Sequence, residues 1–255
     1  MEPAEVLKEI ASQVAECKAC QLSYSRKKAV PGEGPADAEI MLIGEGPGFY
    51  ENEQGRPFVG AAGKFLDELL EKAGVSRKQV FITNVVKCRP PGNRDPQPEE
   101  LSACNAYLER QIEAINPLII VTLGRYSMAK FLPNVRISEV HGQPAWVRGR
   151  LIIPMFHPAA ALHQPSLQAS VERDFARLPE WIQQARQNGK NMAGPSARAG
   201  QSAGAAPAAK AATTARPVPQ QQSLLMPDPE PQNAPPSEEE HKPDQKEPPV
   251  QLSLF

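Results

Sequence analysis

The sequence contains no long hydrophobic run. Its apolar stretches, such as Ile40–Ile43, are a few residues long, far below the ~20 residues that span a bilayer. The first residues, Met1–Val14, are charged and have a helical pattern instead of the apolar centre of a signal peptide. We therefore expect a cytoplasmic protein without a membrane partner.

The sequence also lacks an excess of either charge. It has 28 basic and 29 acidic residues, of which six and seven lie after residue 187, so that 22 of each precede it. A nucleic-acid ligand would therefore need basic residues gathered on one face, because the domain as a whole is not basic.

Cysteine is scarce: the chain has four, at Cys17, Cys20, Cys88 and Cys104. Structural disulfides are rare in the cytoplasm, so we do not expect these thiols to pair. The first two form a C-x2-C pair, and a pair with two distant partners suits four thiolates on one iron–sulfur cluster or one zinc ion. The spacing does not distinguish iron from zinc, and some of the four can instead be ordinary buried thiols.

The composition changes after residue 187. Residues 188–250 hold 12 of the 28 prolines, with much Ala, Gln and Ser and almost no periodic apolar residues. Such a segment cannot bury enough surface to offset its ordering entropy, so a disordered linker is predicted. Residues 1–187 then form one domain, which is long enough for one α/β core.

Short apolar runs alternate with helical patterns in residues 1–187. The runs predict strands at 40–43, 80–83, 118–123 and 151–155, and the helical patterns lie at 4–15, 60–73, 99–115, 125–131 and 171–187. This alternation predicts an α/β fold with a mainly parallel sheet that is covered on both faces. Residues 49–54 are predicted to be a polar linker.

The first strand runs directly into a glycine turn, Gly44–Gly48. Three glycines in five residues let backbone N–H groups approach a ligand. Open α/β sheets bind ligands where strands end in such turns. The spacing is not a dinucleotide fingerprint, because Phe49 occupies the place of the third glycine. Taken alone, the turn also fits a plain connection between a strand and a helix.

Four motifs in a fixed order indicate a particular protein family. They read GEGPG at 44–48, GRPFVG at 55–60, TNVVKCRPP at 83–91 and HPAA at 157–160. Together with the four cysteines, they resemble the family 4 uracil-DNA glycosylases over roughly residues 17–179. The resemblance implies a three-layer α/β/α sandwich around a four-stranded parallel sheet. It also implies a [4Fe–4S] cluster on the four cysteines and hydrolysis of the bond between uracil and deoxyribose in DNA.

The resemblance assigns roles to three residues of a base pocket. Phe58 matches the ring on which uracil stacks, and Asn84 matches the residue that reads the base edge. An amide offers one donor and one acceptor, which fit uracil O4 and N3–H but not cytosine. His157 matches the catalytic histidine, which hydrogen-bonds uracil O2 as charge builds on the leaving base. The target base must first be flipped out of the duplex.

The glycine turn is expected to bind the substrate through Gly44 and Gly46. Gly46 stands where the family usually has alanine and the broader superfamily often has a water-positioning aspartate, so it cannot act as a base. Glu45 is the remaining candidate for activating water, or it braces the loop. Glu51 aligns with a family residue thought to guard against the thymine methyl group; alternatively it is a solvent-exposed carboxylate.

Candidate DNA contacts flank these motifs. Leu162 lies in a segment that resembles the loop entering the minor groove, so we expect it to fill the vacated base stack. The candidate phosphate contacts are cations, namely Arg89, Arg94, Lys87 and Arg26.

The chain ends in an apolar cluster, Gln251, Leu252, Ser253, Leu254 and Phe255. It resembles the bacterial sliding-clamp-binding pentapeptide, in which a glutamine and a Leu-Phe pair dock into a small apolar pocket. We therefore expect the sliding clamp as a partner, with the linker as a tether, although a chance apolar terminus would look the same.

These observations predict a monomeric, monofunctional uracil-DNA glycosylase of base excision repair. It should leave an abasic site without cutting the strand, because no lysine has a recognisable Schiff-base setting. Two alternatives stay open: a uracil-DNA reader or crosslinker without turnover, and a zinc-stabilised nucleotide-binding protein. Turnover tests the first alternative and metal content tests the second.

Overall fold

The computed structural model describes residues 2–192. The strands are β1 (Ile40–Gly44), β2 (Val80–Asn84), β3 (Ile119–Leu123), β4 (Ala145–Val147) and β5 (Arg150–Met155). The helices are α1 (Pro3–Glu16), α2 (Leu22–Ser25), α3 (Phe49–Gln54), α4 (Ala61–Lys72), α5 (Pro98–Ile115), α6 (Arg125–Ala129), α7 (Ile137–Val140), α8 (Pro158–His163), α9 (Gln168–Ala176) and α10 (Leu178–Met192). Short 3-10 turns lie at Arg77–Gln79, Pro91–Asn93 and Pro165–Leu167.

One sheet with the strand order β2-β1-β3-β5-β4 forms the centre. The first four strands in that order are parallel, which confirms the predicted four-stranded parallel sheet. The sequence did not predict β4, a three-residue antiparallel edge strand. The turn between β4 and β5 has positive φ at both Arg148 and Gly149, as in the type I′ turns that favour hairpins.

Helices cover both faces of the sheet, as the α/β/α prediction required. Along β1, Ile40 and Leu42 join a core with α4, α9 and α10, while Met41 and Ile43 join a second core with α5. All residues of β1, β2 and β3 are buried, as expected for strands between two helical layers.

Two predicted elements were wrong in detail. The expected polar linker at 49–54 is α3, and Gly55 ends this helix with a φ of +76°. The expected single closing helix is divided into α9 and α10, because Pro179 lacks the N–H that a continuous helix would need.

The last helix, α10, continues to Met192, five residues beyond the expected end of the domain. The predicted linker after that point and the pentapeptide at 251–255 lie outside the described residues. Within residues 2–192, each helix is too short or too polar to cross a bilayer.

The strand register brings the carboxyl ends of the strands to one edge of the sheet. Gly44 pairs with Asn84, and Leu123 pairs with Met155. The glycine turn, the end of β2 and the segment before His157 therefore meet at this edge, where parallel sheets bind ligands.

Candidate functional site

A pocket of about 390 Å³ opens at this edge of the sheet. Six of the predicted site residues line it: Glu45, Gly46, Glu51, Phe58, Arg94 and His157. A larger cavity of about 830 Å³ lies at the opposite edge, where the ion-paired Glu39 and Arg186 contribute to its wall. The smaller pocket is the candidate site, because the predicted polar and aromatic groups converge there.

Phe58 has an unusual backbone conformation for a buried aromatic residue. Its φ is +50°, a left-handed value that is strained for any residue other than glycine. Its ring lies nearly parallel to the His157 ring, with 5.5 Å between the ring centroids and 22° between the planes. A Cβ on Gly63 would lie 1.9 Å from the Phe58 carbonyl oxygen. Only glycine at this position therefore allows helix α4 to pack so closely against the Phe58 backbone.

Arg77 holds this strained segment in place. Its guanidinium donates to the carbonyl oxygens of Pro57 at 2.7 Å and Phe58 at 3.2 Å. It also donates to the carboxylates of Glu33 and Asp67. All five N–H groups of the side chain therefore have acceptors, which is the full capacity of an arginine. The role of Arg77 was not predicted from the sequence, because its hydrogen-bond partners are 10 to 44 residues away along the chain.

Asn84 lies at the end of β2 and is 2% exposed. Its Oδ1 atom is buried and has no hydrogen-bond partner among the described residues. A Cβ on Gly44 would lie 2.3 Å from this oxygen and 2.8 Å from the Phe58 ring. Only glycine at position 44 therefore lets the amide and the ring pack this closely against the end of β1, and neither Gly44 nor Asn84 is among the residues that line the pocket. A buried oxygen without a partner costs about 1–3 kcal/mol, so the site is suited to a ligand that donates to it.

Lys87 is not a phosphate contact, contrary to the expectation from the sequence, because its side chain is almost completely buried. Its ammonium group donates to Thr83 Oγ1, to the carbonyl oxygen of Asn84 at 2.8 Å and to Gln111 Oε1 at 2.8 Å. Burial lowers the pKa of Lys87 to about 7. The lysine therefore connects the end of β2 to helix α5 from inside the protein.

His157 follows β5 and precedes α8. Its Nδ1 accepts a hydrogen bond from the backbone N–H of Ala159 at 3.1 Å, so a neutral ring carries its hydrogen on Nε2. Burial lowers the pKa of His157 to about 4, and the ring is therefore neutral at pH 7. Gly124 lies next to it with a φ of +94°, a backbone conformation that favours glycine. The geometry makes His157 a neutral hydrogen-bond donor at the pocket.

The two glutamates of the pocket differ in their surroundings. Burial, together with the charge of Asp95, raises the pKa of Glu45, while Arg125 opposes this effect. Glu51 accepts a hydrogen bond from the backbone N–H of Gly48 at 2.6 Å at the start of α3. Glu51 thus braces the glycine turn, and its side chain is half-buried instead of fully exposed.

Of the other expected DNA contacts, Arg94 lines the pocket, while Leu162 and Arg89 are close in sequence to residues that line it. Leu162 projects from α8 with 47% of its surface exposed. Arg89 is half-buried and donates to Asn93 Oδ1, whereas Arg94 makes two hydrogen bonds to Glu100. Arg26 lies apart from the pocket and donates to Cys88 Sγ at 3.1 Å and to a backbone carbonyl of α1.

The four cysteines lie in one region, away from the pocket. Cys88 and Cys104 share a small apolar cluster, and Cys20 packs against it. Burial raises the pKa of Cys88 and raises that of Cys104 to about 11, and the nearby thiols add to both effects. As placed in residues 2–192, no three or more His, Cys, Asp or Glu side chains form a ready-made metal site. The donor chemistry nevertheless fits a sulfur-ligated group, because Arg26 is placed to stabilise a thiolate at Cys88.

Comparison with known proteins agrees with this geometry. Residues 31–183 match the model of the uracil DNA glycosylase superfamily. The chain therefore belongs to the uracil DNA glycosylase superfamily. The matched range contains the glycine turn, Phe58, Asn84 and His157, but not the C-x2-C pair.

The similar proteins include type-4 and type-5 uracil-DNA glycosylases, and the type-4 proteins have the higher sequence identities. A type-4 uracil-DNA glycosylase of Sulfurisphaera tokodaii is 48% identical over 186 residues, which cover 68% of this chain and 84% of the relative. One of Thermotoga maritima is 44% identical over 183 residues, covering 70% and 95%. A type-5 uracil-DNA glycosylase of Thermus thermophilus is 38% identical over 127 residues, covering 44% and 58%.

Proposed function

We propose that this protein is a uracil-DNA glycosylase, which removes uracil from DNA and leaves an abasic site. The observation that supports it most is the unpartnered Oδ1 of Asn84, which is buried beside the Phe58 ring. A flipped uracil that stacks on Phe58 would donate its N3–H to this oxygen, and the amide N–H group would donate to O4. Cytosine has an acceptor at N3 and a donor at N4, so it would oppose both groups of the amide.

The proposed reaction is hydrolysis of the bond between N1 of uracil and C1′ of deoxyribose. The bonding electrons leave with the base, and negative charge builds on its O2 oxygen. Nε2–H of His157 donates to this oxygen and stabilises the departing anion. Water adds to C1′, and the proton that it loses neutralises the uracil anion. Glu45 at the pocket wall is the candidate that orients this water. The products are free uracil and a DNA strand with an abasic sugar.

Release of free uracil from an oligonucleotide tests the proposal. The purified protein is expected to turn over many times on DNA with one uracil and to leave alkali-labile sites. Matched oligonucleotides with cytosine or thymine at that position serve as controls and should stay intact. Tight binding to uracil-containing DNA without release would instead indicate a reader without turnover.

Replacing Arg77 by lysine is expected to weaken substrate binding. Lysine cannot reproduce the fork that holds the carbonyl oxygens of Pro57 and Phe58, so the strained φ of Phe58 would relax. We expect KM for a uracil oligonucleotide to rise about tenfold, as for a loss of ~1.4 kcal/mol. Arg56→Lys is the matched control, because Arg56 also binds Glu33 but makes no bond to Phe58. Equal losses in both variants would contradict a positioning role.

We further propose that Cys17, Cys20, Cys88 and Cys104 hold a [4Fe–4S] cluster. Support comes from the thiol-only donor set, the C-x2-C pair and the N–H group that Arg26 directs at Cys88. Such a cluster would brace the segment between α1 and α2, the segment after β2, and α5, and no step of the reaction depends on it.

Replacing Cys104 by serine is expected to lower the iron content of the purified protein and its visible absorption by at least half. Loss of one of four thiolates weakens the cluster, whose binding is coupled to folding. Total metal analysis checks this. His141→Ala is the control, because histidine can also bind metals but His141 is not one of the four proposed ligands. Zinc in the wild-type protein in place of iron would contradict the cluster.

We also propose that Gln251–Phe255 binds a bacterial sliding clamp, because the sequence resembles the clamp-binding pentapeptide. Deletion of these five residues is expected to abolish clamp binding, measured by surface plasmon resonance. Uracil release from short oligonucleotides should be unchanged, since it needs no clamp. Unchanged clamp binding after the deletion would contradict the proposal.

A further inference from the structure

Two large aromatic side chains are exposed in the first turn of α3. Phe49 is 53% exposed and Tyr50 is 59% exposed, and their ring centroids lie 5.4 Å apart in an edge-to-face arrangement. They directly follow Gly48, which lines the pocket. Neither ring contributes to the two main cores of the fold. Exposed adjacent aromatic residues beside a binding pocket indicate a contact surface.

This aromatic pair continues the rim of the pocket. A Cβ on Gly60, another pocket-lining residue, would lie 3.4 Å from Cδ2 of Tyr50. On the other side, the guanidinium of Arg89 lies over the Phe49 ring at 5.3 Å from its centroid. Arg89 also donates to Asn93, which lines the pocket. Two aromatic rings and one cation are therefore placed together beside the pocket.

We propose that Phe49, Tyr50 and Arg89 form a stacking platform for the base next to the uracil on the same strand. This inference rests on the proposed glycosylase function and assigns single-stranded uracil-containing DNA as its preferred substrate class. The aromatic faces accept any base, and the cation is complementary to the phosphate that joins the two nucleotides.

The preference for a single strand follows from what each kind of DNA leaves available. Flipping the uracil removes the stacking partner from one face of the neighbouring base. In a single strand that base is free to turn onto a protein ring. In a duplex it stays paired with the opposite strand and stacked on its other neighbour, and Leu162 is expected to fill the vacated stack, so the base does not turn onto the platform.

The first measurement compares kcat/KM for uracil release from single-stranded and duplex oligonucleotides. The double variant Phe49→Ala with Tyr50→Ala is expected to lose about 5-fold to 150-fold on single strands, the range for one lost base–aromatic stack. On duplex DNA it should lose little. Trp146→Ala is the matched control: Trp146 is 41% exposed and pairs with Leu151 near the start of β5, away from the pocket edge. Equal losses on both substrates would overturn the platform.

The second measurement tests contact with the base itself. Single strands are made with a reduced abasic residue on either side of the uracil. For the wild type, removing the neighbouring base on one side should cost the same factor as the double variant does on the intact strand. For the double variant, removing that base should cost nothing further. Two independent, additive losses would contradict stacking on these rings.

Binding separates this inference from the proposed function. Fluorescence anisotropy on the same single strands is expected to show the same coupled losses in affinity. If the wild type binds but releases no uracil, the glycosylase proposal fails, and the binding data still decide about the platform. If uracil is released and the double variant matches the wild type throughout, the glycosylase proposal stands and the platform is wrong.

Discussion

Replacing Asn84 by alanine is expected to lower kcat/KM for uracil release by about 30-fold to 10⁴-fold. The change leaves uracil N3–H and O4 without their partners, and each unpaired buried group costs about 1–3 kcal/mol. The amide Oδ1 is already buried and unpartnered, so the folded protein carries that cost until a ligand arrives. Steady-state kinetics on a uracil oligonucleotide measures the loss.

A buried asparagine elsewhere provides the control for this variant. Asn52 is 7% exposed, and its Oδ1 accepts the backbone N–H of Lys27. Asn52→Ala should lower the melting temperature without a comparable loss of kcat/KM. Asn84→Ala should raise the melting temperature or leave it unchanged, because it removes an unpaired buried oxygen. If both variants lose activity in proportion to stability, Asn84 does not read the base.

Local patterns in the sequence were sufficient to predict the layered sheet and the sheet edge at which the candidate site lies. Apolar runs marked the four parallel strands, and parallel pairing places their carboxyl ends at one edge. That rule alone brings Gly44, Asn84 and His157 together. The place of the glycine turn follows from the same rule, because the turn begins at Gly44, the last residue of β1.

Features that depend on distant partners were not predictable. The positive φ of Phe58 is stabilised by Arg77, which is 19 residues away, and by a close approach to α4. Lys87 was expected at the surface because it is charged, yet three acceptors from β2 and α5 satisfy its ammonium inside the protein. Helix α3 was missed because a six-residue helix beginning with two exposed aromatics shows no apolar stripe.

Replacing His157 by alanine is expected to lower kcat for uracil release by about 10²-fold to 10³-fold, with little change in KM. The bond from Nε2–H to uracil O2 strengthens only as the base leaves, so its loss affects the transition state more than binding. Single-turnover kinetics separates the chemical step from product release. His163→Ala is the control, because His163 also lines the pocket but is exposed at the end of α8.

The pH dependence identifies the protonation state in which His157 acts. Because its pKa in the fold is about 4, the ring is neutral from pH 8 to pH 6, and kcat should show no inflection near 6.5. Folding stability responds differently, because the histidine has a pKa near 6.5 in the unfolded chain. Between pH 6.5 and pH 4 the unfolded state therefore binds a proton that the folded state does not bind. The free energy of unfolding should therefore fall as the pH drops from 6.5 towards 4, by up to about 3 kcal/mol from this residue. Acid unfolding of His157→Ala should lack that contribution. A rate profile that rises on protonation near pH 6.5 would mean that an imidazolium, not the neutral ring, stabilises the leaving uracil.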